Sequence, residues 1–111
     1  MEGTMAIYLV QDDERNSHQI GDATFIYKRM PSHIQKGFEA KHRKKGEVDM
    51  RAVLELCLEY CLIDWSGVKP HKDAEDIPFS KDLIQYLPEA IKTELISLLY
   101  EGAPDKMLKG N

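Results

Sequence analysis

At 111 residues the chain has room for one hydrophobic core and no second independent one. Its 42% hydrophobic and 31% charged residues exclude global disorder, because enough apolar surface can be buried to offset chain entropy. A formal net charge of -4 gives no overall pull toward nucleic acid or an anionic membrane, so any such contact has to come from a local patch.

Residues 5–10 are β-rich and lack a basic leader and a small-residue cleavage site, so they read as a strand and not as a signal peptide. No apolar run approaches the roughly 20 residues needed to span a bilayer. The polar run 11–19 reads as a long connection. Residues 22–29, rich in β-branched and aromatic side chains, read as a second strand, which gives an antiparallel ribbon within 5–30. A lone ribbon is marginal in water, so it should lean on helices.

Pro31 breaks the extended run, and Ser32 offers a cap for a helix over residues 33–45 that carries Ile34, Phe38 and Ala40 inward. Gly37 weakens that helix by about 1 kcal/mol relative to Ala. Lys41, His42, Arg43, Lys44 and Lys45 ahead of Gly46 match a helix C-terminus, where cations suit the dipole and glycine suits the left-handed residue that follows. Asp49 should cap a second helix over residues 50–65. Its Met50, Val53, Leu54, Cys57, Leu58, Cys61, Leu62 and Trp65 recur at the three-and-four spacing of one helical face. Leu56, Tyr60 and Ile63 form a second apolar line beside that face. A helix so apolar is central to the core or keeps one flank for a partner.

Ser66-Gly67 ends this helix, and residues 68–76 read as a polar loop. Ser80 can cap a short helix over 81–86. Pro88 suits the first turn of a last helix reaching about Tyr100, which buries Ile91, Leu95, Leu98 and Leu99. Residues 1–4 and 103–111 are expected to fray. The whole reads as one α+β domain, mostly helical, with an N-terminal two-stranded antiparallel ribbon packed on a bundle of about four helices.

Catalysis is the weakest class. His18, His33, His42 and His71 lie in polar stretches without a metal-ligand spacing. No nucleophile elbow or phosphate-cradling glycine loop occurs. No catalytic residue, cofactor or metal is expected. Cys57 and Cys61 stack on one helical face, where two free thiols used as small core hydrophobes outweigh a disulfide or zinc site, as fits a reducing cytoplasm. Lys41, Arg43, Lys44 and Lys45 are the best case for nucleic-acid contact, but no aromatic residues interleave them. A solvated helix end outweighs that reading, and a core role outweighs a binding role for Trp65.

The stretch Ile63-Asp64-Trp65-Ser66-Gly67-Val68, a polar loop, Ile77-Pro78-Phe79-Ser80, a short helix and Leu87-Pro88 resemble small tail assembly chaperones of tailed bacteriophages and prophages. Phe25-Ile26-Tyr27 and the segment KHRKKGEVD at 41–49 also fit. The resemblance spans roughly residues 22–100, with Trp65, Gly67, Pro78, Phe79 and Pro88 as its motif positions. Loop 68–76 lacks the glycine that members of the pattern often carry there. The resemblance implies a non-enzymatic role in the host bacterial cytoplasm: binding the long tape measure protein and keeping its apolar helices soluble until tail-tube subunits polymerise around it. Leu56, Tyr60 and Ile63, beside the main stripe, are the expected partner surface. Competing expectations are a small nucleic-acid-binding accessory protein that uses the 41–45 cluster, and a structural tail or head-completion protein retained in the virion. Self-association would use the same second apolar line.

Overall fold

The computed structural model describes residues 9–101. Strand β1 (Asn16–Ile20) pairs antiparallel with β2 (Ala23–Tyr27), with Ile20 opposite Ala23. The connection is the two-residue turn Gly21-Asp22, where Gly21 at φ 59 takes a conformation that side-chain-bearing residues resist. Among the described residues the first strand is thus Asn16–Ile20, most of it within the run expected as a connection. Residues 5–8 lie outside the described residues, and Leu9 and Val10 are exposed and irregular. Asn-Ser-His-Gln-Ile reads as loop by composition, yet as an edge strand it needs only ladder hydrogen bonds and tolerates polar side chains.

Glu14 and Arg29 pin the segment ahead of β1 to the end of β2. Both are almost fully buried, at 1% and 5% exposed. Arg29 Nε donates to Glu14 Oε2 at 2.9 Å and Nη2 to Oε1 at 3.0 Å. Asn16 Nδ2 donates to Oε2 at 2.8 Å, and the Gln11 amide to Oε1 at 3.0 Å. Burial pushes the Glu14 carboxyl up, but the Arg29, Gln11 and Asn16 hydrogen bonds outweigh it and hold the group at about 2, below its usual 4.5.

Helix α1 (Ser32–Lys41) follows Pro31 directly, with Ser32 inside the first turn and no side-chain cap. It ends at Lys41, four residues short of the expected end. A second hairpin follows, β3 (Arg43–Lys44) against β4 (Glu47–Val48). Lys45 and Gly46 form its turn at φ 53 and 81, the two positive values that a type I′ turn requires. The glycine that looked like a helix stop is a hairpin tip.

Helix α2 (Met50–Cys61) starts as expected, with the Asp49 carboxylate accepting from the Ala52 amide at 3.2 Å. It buries Val53, Cys57, Leu58 and Cys61, whereas Met50, 42% exposed, falls outside the core. The helix also stops four residues before Trp65. Without an intervening turn the chain becomes β5 (Leu62–Ser66), which pairs antiparallel with β2 and completes a sheet of order β1-β2-β5. Phe25 lies opposite Trp65, Ile26 opposite Asp64 and Tyr27 opposite Leu62, so Ile63 is the extra, unopposed residue of a β-bulge. Strict alternation would send Leu62 and Trp65 to opposite faces; the bulge lets both be buried.

The 3-10 helix Lys81–Tyr86 and α3 (Glu89–Leu98), with Pro88 immediately before it, close the core with Ile84, Leu87, Leu95 and Leu99. The described residues thus form an α+β domain of a three-stranded antiparallel sheet, a small separate hairpin and four helical segments. The antiparallel ribbon within 5–30 is β1 with β2, two strands of that sheet, whereas the sequence pattern pairs the strand at 22–29 with 5–10. Among the described residues no helix is long and apolar enough to cross a membrane.

Two glycines should respond oppositely to alanine. At Gly67 (φ 75) a Cβ would run into the Asp22 carbonyl, so Gly67→Ala should cost about 2 kcal/mol or more in denaturant unfolding. At Gly37, inside α1 with open space around it, Gly37→Ala should add up to about 1 kcal/mol. Glu14 carries a pH signature: its folded value is depressed, so its contribution is complete above about 4.5 and drains away as the pH falls toward about 2. Glu14→Gln should lower stability at neutral pH and flatten the acid limb of stability against pH; an unchanged acid limb would contradict the ion pair.

Candidate functional site

Leu56, Tyr60 and Ile63 meet in one open groove of about 530 Å³. The first two lie one turn apart on α2, and the bulge delivers Ile63 from β5, so the three share a surface although they do not share a helix. Phe38 of α1 joins them, its ring edge-on to Tyr60 at 6.2 Å between centroids. Tyr60 and Phe38 pack against the core, whereas Leu56 and Ile63 are half-buried and outside it. Leu56 and Ile63 are apolar side chains that stand outside the core cluster.

Three cations rim this groove: Arg15, Lys28 and Lys81. Lys28 Nζ sits 4.3 Å from the Tyr60 ring centroid and 2.8 Å from Asp12 Oδ1. The Tyr60 hydroxyl donates to the same Asp12 oxygen at 3.3 Å. Lys81 donates to the Glu59 carbonyl and, at 3.3 Å, to that of Leu62, carbonyls that the end of α2 leaves without helical partners. Burial lowers the Lys81 pKa, and the Lys28 charge lowers it further. Among the described residues Glu59 is the one carboxylate that lines the groove. Beside it a smaller hollow of about 420 Å³ shares Leu56 and Glu59 and is bounded by His42, Asp49, Arg51 and Glu55. Sequence reading missed Phe38 and the three cations as groove residues, because they come from separate segments and only the fold brings them together.

The resemblance motif lies elsewhere and does structural work. Trp65 is buried, with its ring edge-on to Phe25 at 6.3 Å and to Phe79 at 5.0 Å. Its Nε1 donates to the Ile77 carbonyl at 2.8 Å, and the Ile77 amide donates to Val68 at 2.7 Å, closing loop 68–77. Gly67 makes the close approach to β2, Pro78 is exposed beside Phe79, and Pro88 starts α3. A second apolar cleft of about 320 Å³ lies between this loop and the 3-10 helix, lined by Trp65, Val68, Pro70 and Tyr86 among others.

The basic cluster is dispersed. Lys41 closes α1, Arg43 and Lys44 are successive strand residues that point to opposite faces, and Lys45 is at the hairpin tip. Lys41 and Lys44 share a hollow with Glu47 and Asp49. The helix-end reading is corrected by the hairpin, and no single cationic face results. Among the described residues no three His, Cys, Asp or Glu side chains converge as a metal-binding group.

Comparison with protein-family models, with curated proteins and with solved structures finds no match to the chain in any of the three.

Cys57 and Cys61 are free thiols inside the core, with Cys61 Sγ 3.4 Å from Met30 Sδ. Burial raises both, Cys61 to about 12, which leaves negligible thiolate at neutral pH. A thiol-specific disulfide reagent should therefore label neither in the native protein and both after unfolding in denaturant. Labelling of the native protein at the unfolded rate would contradict this burial.

Proposed function

We propose that this protein is a non-enzymatic binding module that holds an apolar helical segment of a partner protein in the groove over α2. The specific form we favour is a tail assembly chaperone that binds the tape measure protein in the host cytoplasm. The observation that carries the binding reading is the pair Leu56 and Ile63, partly buried yet outside the core cluster, set with Tyr60 in one groove. Apolar side chains left together in a concave surface favour the apolar face of an amphipathic helix. A 12-residue helix such as α2 offers a contact line about 18 Å long. The tape-measure identity draws its support from the sequence resemblance around Trp65 and Pro78-Phe79, and from the fit of a helix-rich client to such a groove.

The test is co-expression with a long, helix-rich candidate from the same genetic locus, followed by co-purification at moderate salt. A soluble complex that requires this chain supports the reading. A candidate that is soluble alone and never co-purifies removes the tape-measure identity. Leu56→Asp and Ile63→Asp should each weaken the complex at least about tenfold, the effect of losing an anchor worth over 1 kcal/mol. Both variants should still unfold cooperatively and lose less stability than a core Leu58→Asp change, since both side chains are partly buried but outside the core cluster. Tyr60→Ser, which also removes packing on Phe38, should lose both binding and stability.

A further inference from the structure

The charges around the groove are not those of the chain. The protein carries 19 acidic against 15 basic residues, yet among the described residues its groove is lined by three cations and one carboxylate, Glu59, with Asp12 at its edge. Among the described residues, Lys28 is the one of the three that pairs with a carboxylate, and that carboxylate, Asp12, is supplied by the segment ahead of β1. Asp12 is poorly held: its side chain is 80% exposed while that of Lys28 is 13% exposed. Two donors, Lys28 Nζ and the Tyr60 hydroxyl, converge on its Oδ1, at the edge of the apolar floor. A carboxylate so placed marks where a foreign carboxylate can land, and the exposed Asp12 can leave at little cost once a second carboxylate takes its place on the mostly buried Lys28.

We propose that the groove selects an amphipathic helix with carboxylates flanking its apolar stripe at the Ile63 end, and that Asp12 holds the place of a partner carboxylate between Lys28 and Tyr60 in the free protein. This rests on the groove-docking reading given above. On binding, the partner's apolar residues cover Leu56 and Ile63, and its carboxylate replaces Asp12 on Lys28. Arg15 and Lys81 face the remaining acidic positions. The lowered pKa of Lys81, caused by burial and then by the Lys28 charge, agrees with a pair of like charges awaiting an anion. Basic or neutral apolar helices lack that gain and meet like-charge repulsion at the rim.

Two synthetic stapled helical peptides test this. Both carry the same leucine stripe at i, i+3, i+4 and i+7. One has Glu flanking the stripe at one end, and the other has Lys at the same positions. Binding is read by fluorescence anisotropy on the full-length protein at low and high salt. The Glu-flanked peptide should bind about tenfold tighter at low salt, and its advantage should shrink as salt is raised. Asp12→Asn, at an exposed site that leaves the core untouched, should tighten the Glu-flanked peptide about two- to fivefold. That gain should vanish in the Lys28→Gln background, which a displaced ion pair requires and a general charge change does not.

Equal binding of both peptides, abolished in both cases by Ile63→Asp, would overturn the charge selection and leave the groove reading standing. Charge-selective binding that Asp12→Asn does not improve would overturn the placeholder role of Asp12. If neither peptide binds, the groove reading itself falls, and this inference with it.

Discussion

Helix α2 passes into strand β5 without a turn, and Cys61 and Leu62, the two residues at that junction, are fully buried. The junction fixes helix and sheet as one body. The Lys28 amide donates to the Cys61 carbonyl at 3.0 Å and Tyr27 pairs with Leu62, so β2 is registered against the end of the helix itself. A strand leaving a helix this way has to bury Leu62 at once and Trp65 three residues later. Both are accommodated only by an extra residue, and Ile63 is that residue. The groove's third apolar side chain is thus a consequence of how the core is closed. Lys81 completes the joint by reaching from the 3-10 helix to carbonyls that the helix end leaves without partners.

The same joint explains what could and could not be read from the sequence. The apolar spacing from Val53 to Trp65 records burial at six of its seven positions, since Val53, Cys57, Leu58, Cys61, Leu62 and Trp65 are in the core and Leu54 is not. It is not a true record of secondary structure. A bulged strand that buries two residues three apart produces the same spacing as a helix, and periodicity cannot separate them over so short a run. The hairpin of β1 and β2 was legible in principle: Gly21-Asp22 between Ile20 and Ala23 is a two-residue turn signal. The apolar run at 5–10 outweighed it because β1 is a polar edge strand. Lys45-Gly46 carried a similar ambiguity, as a glycine after a basic run serves a helix stop and a hairpin tip equally well. The caps and breakers that act locally, Pro31, Asp49 and Pro88, were legible because their effect reaches only one turn of chain.

For the groove, the sequence revealed the floor and hid the rim. Leu56 and Tyr60 are marked by their spacing on a helix that has more apolar residues than one core face can bury. Arg15, Lys28 and Lys81 reach the same place from a loop, a strand end and a 3-10 helix, and no local pattern connects them. The resemblance motif behaves in the opposite way. Trp65, Gly67 and Phe79 are recognisable at a glance, yet their contacts hold loop 68–77 against the sheet and do not line the groove. A motif of this kind reports the fold that positions a surface, while the surface is composed of residues free to vary with its occupant.

The pair Glu14 and Arg29 bears on the groove through position more than through energy. A buried ion pair returns little net stability over an apolar pair of the same volume, because both charges have to leave water. What it does impose is geometry: Glu14 accepts from Arg29, from Asn16 and from the Gln11 amide at once, and Arg29 reaches back to the Leu9 carbonyl at 2.9 Å. The backbone from Leu9 to Asn16 therefore has one placement against β2. Asp12 and Arg15 flank the buried carboxylate along that segment, and both are presented at the groove edge. An apolar pair would bury as well but would leave the segment free to slide by a residue, which would put Glu14 or Asn16 where Arg15 now supplies a cation at the rim. The fold places a costly interior charge where the sign of the surface beside it depends on register.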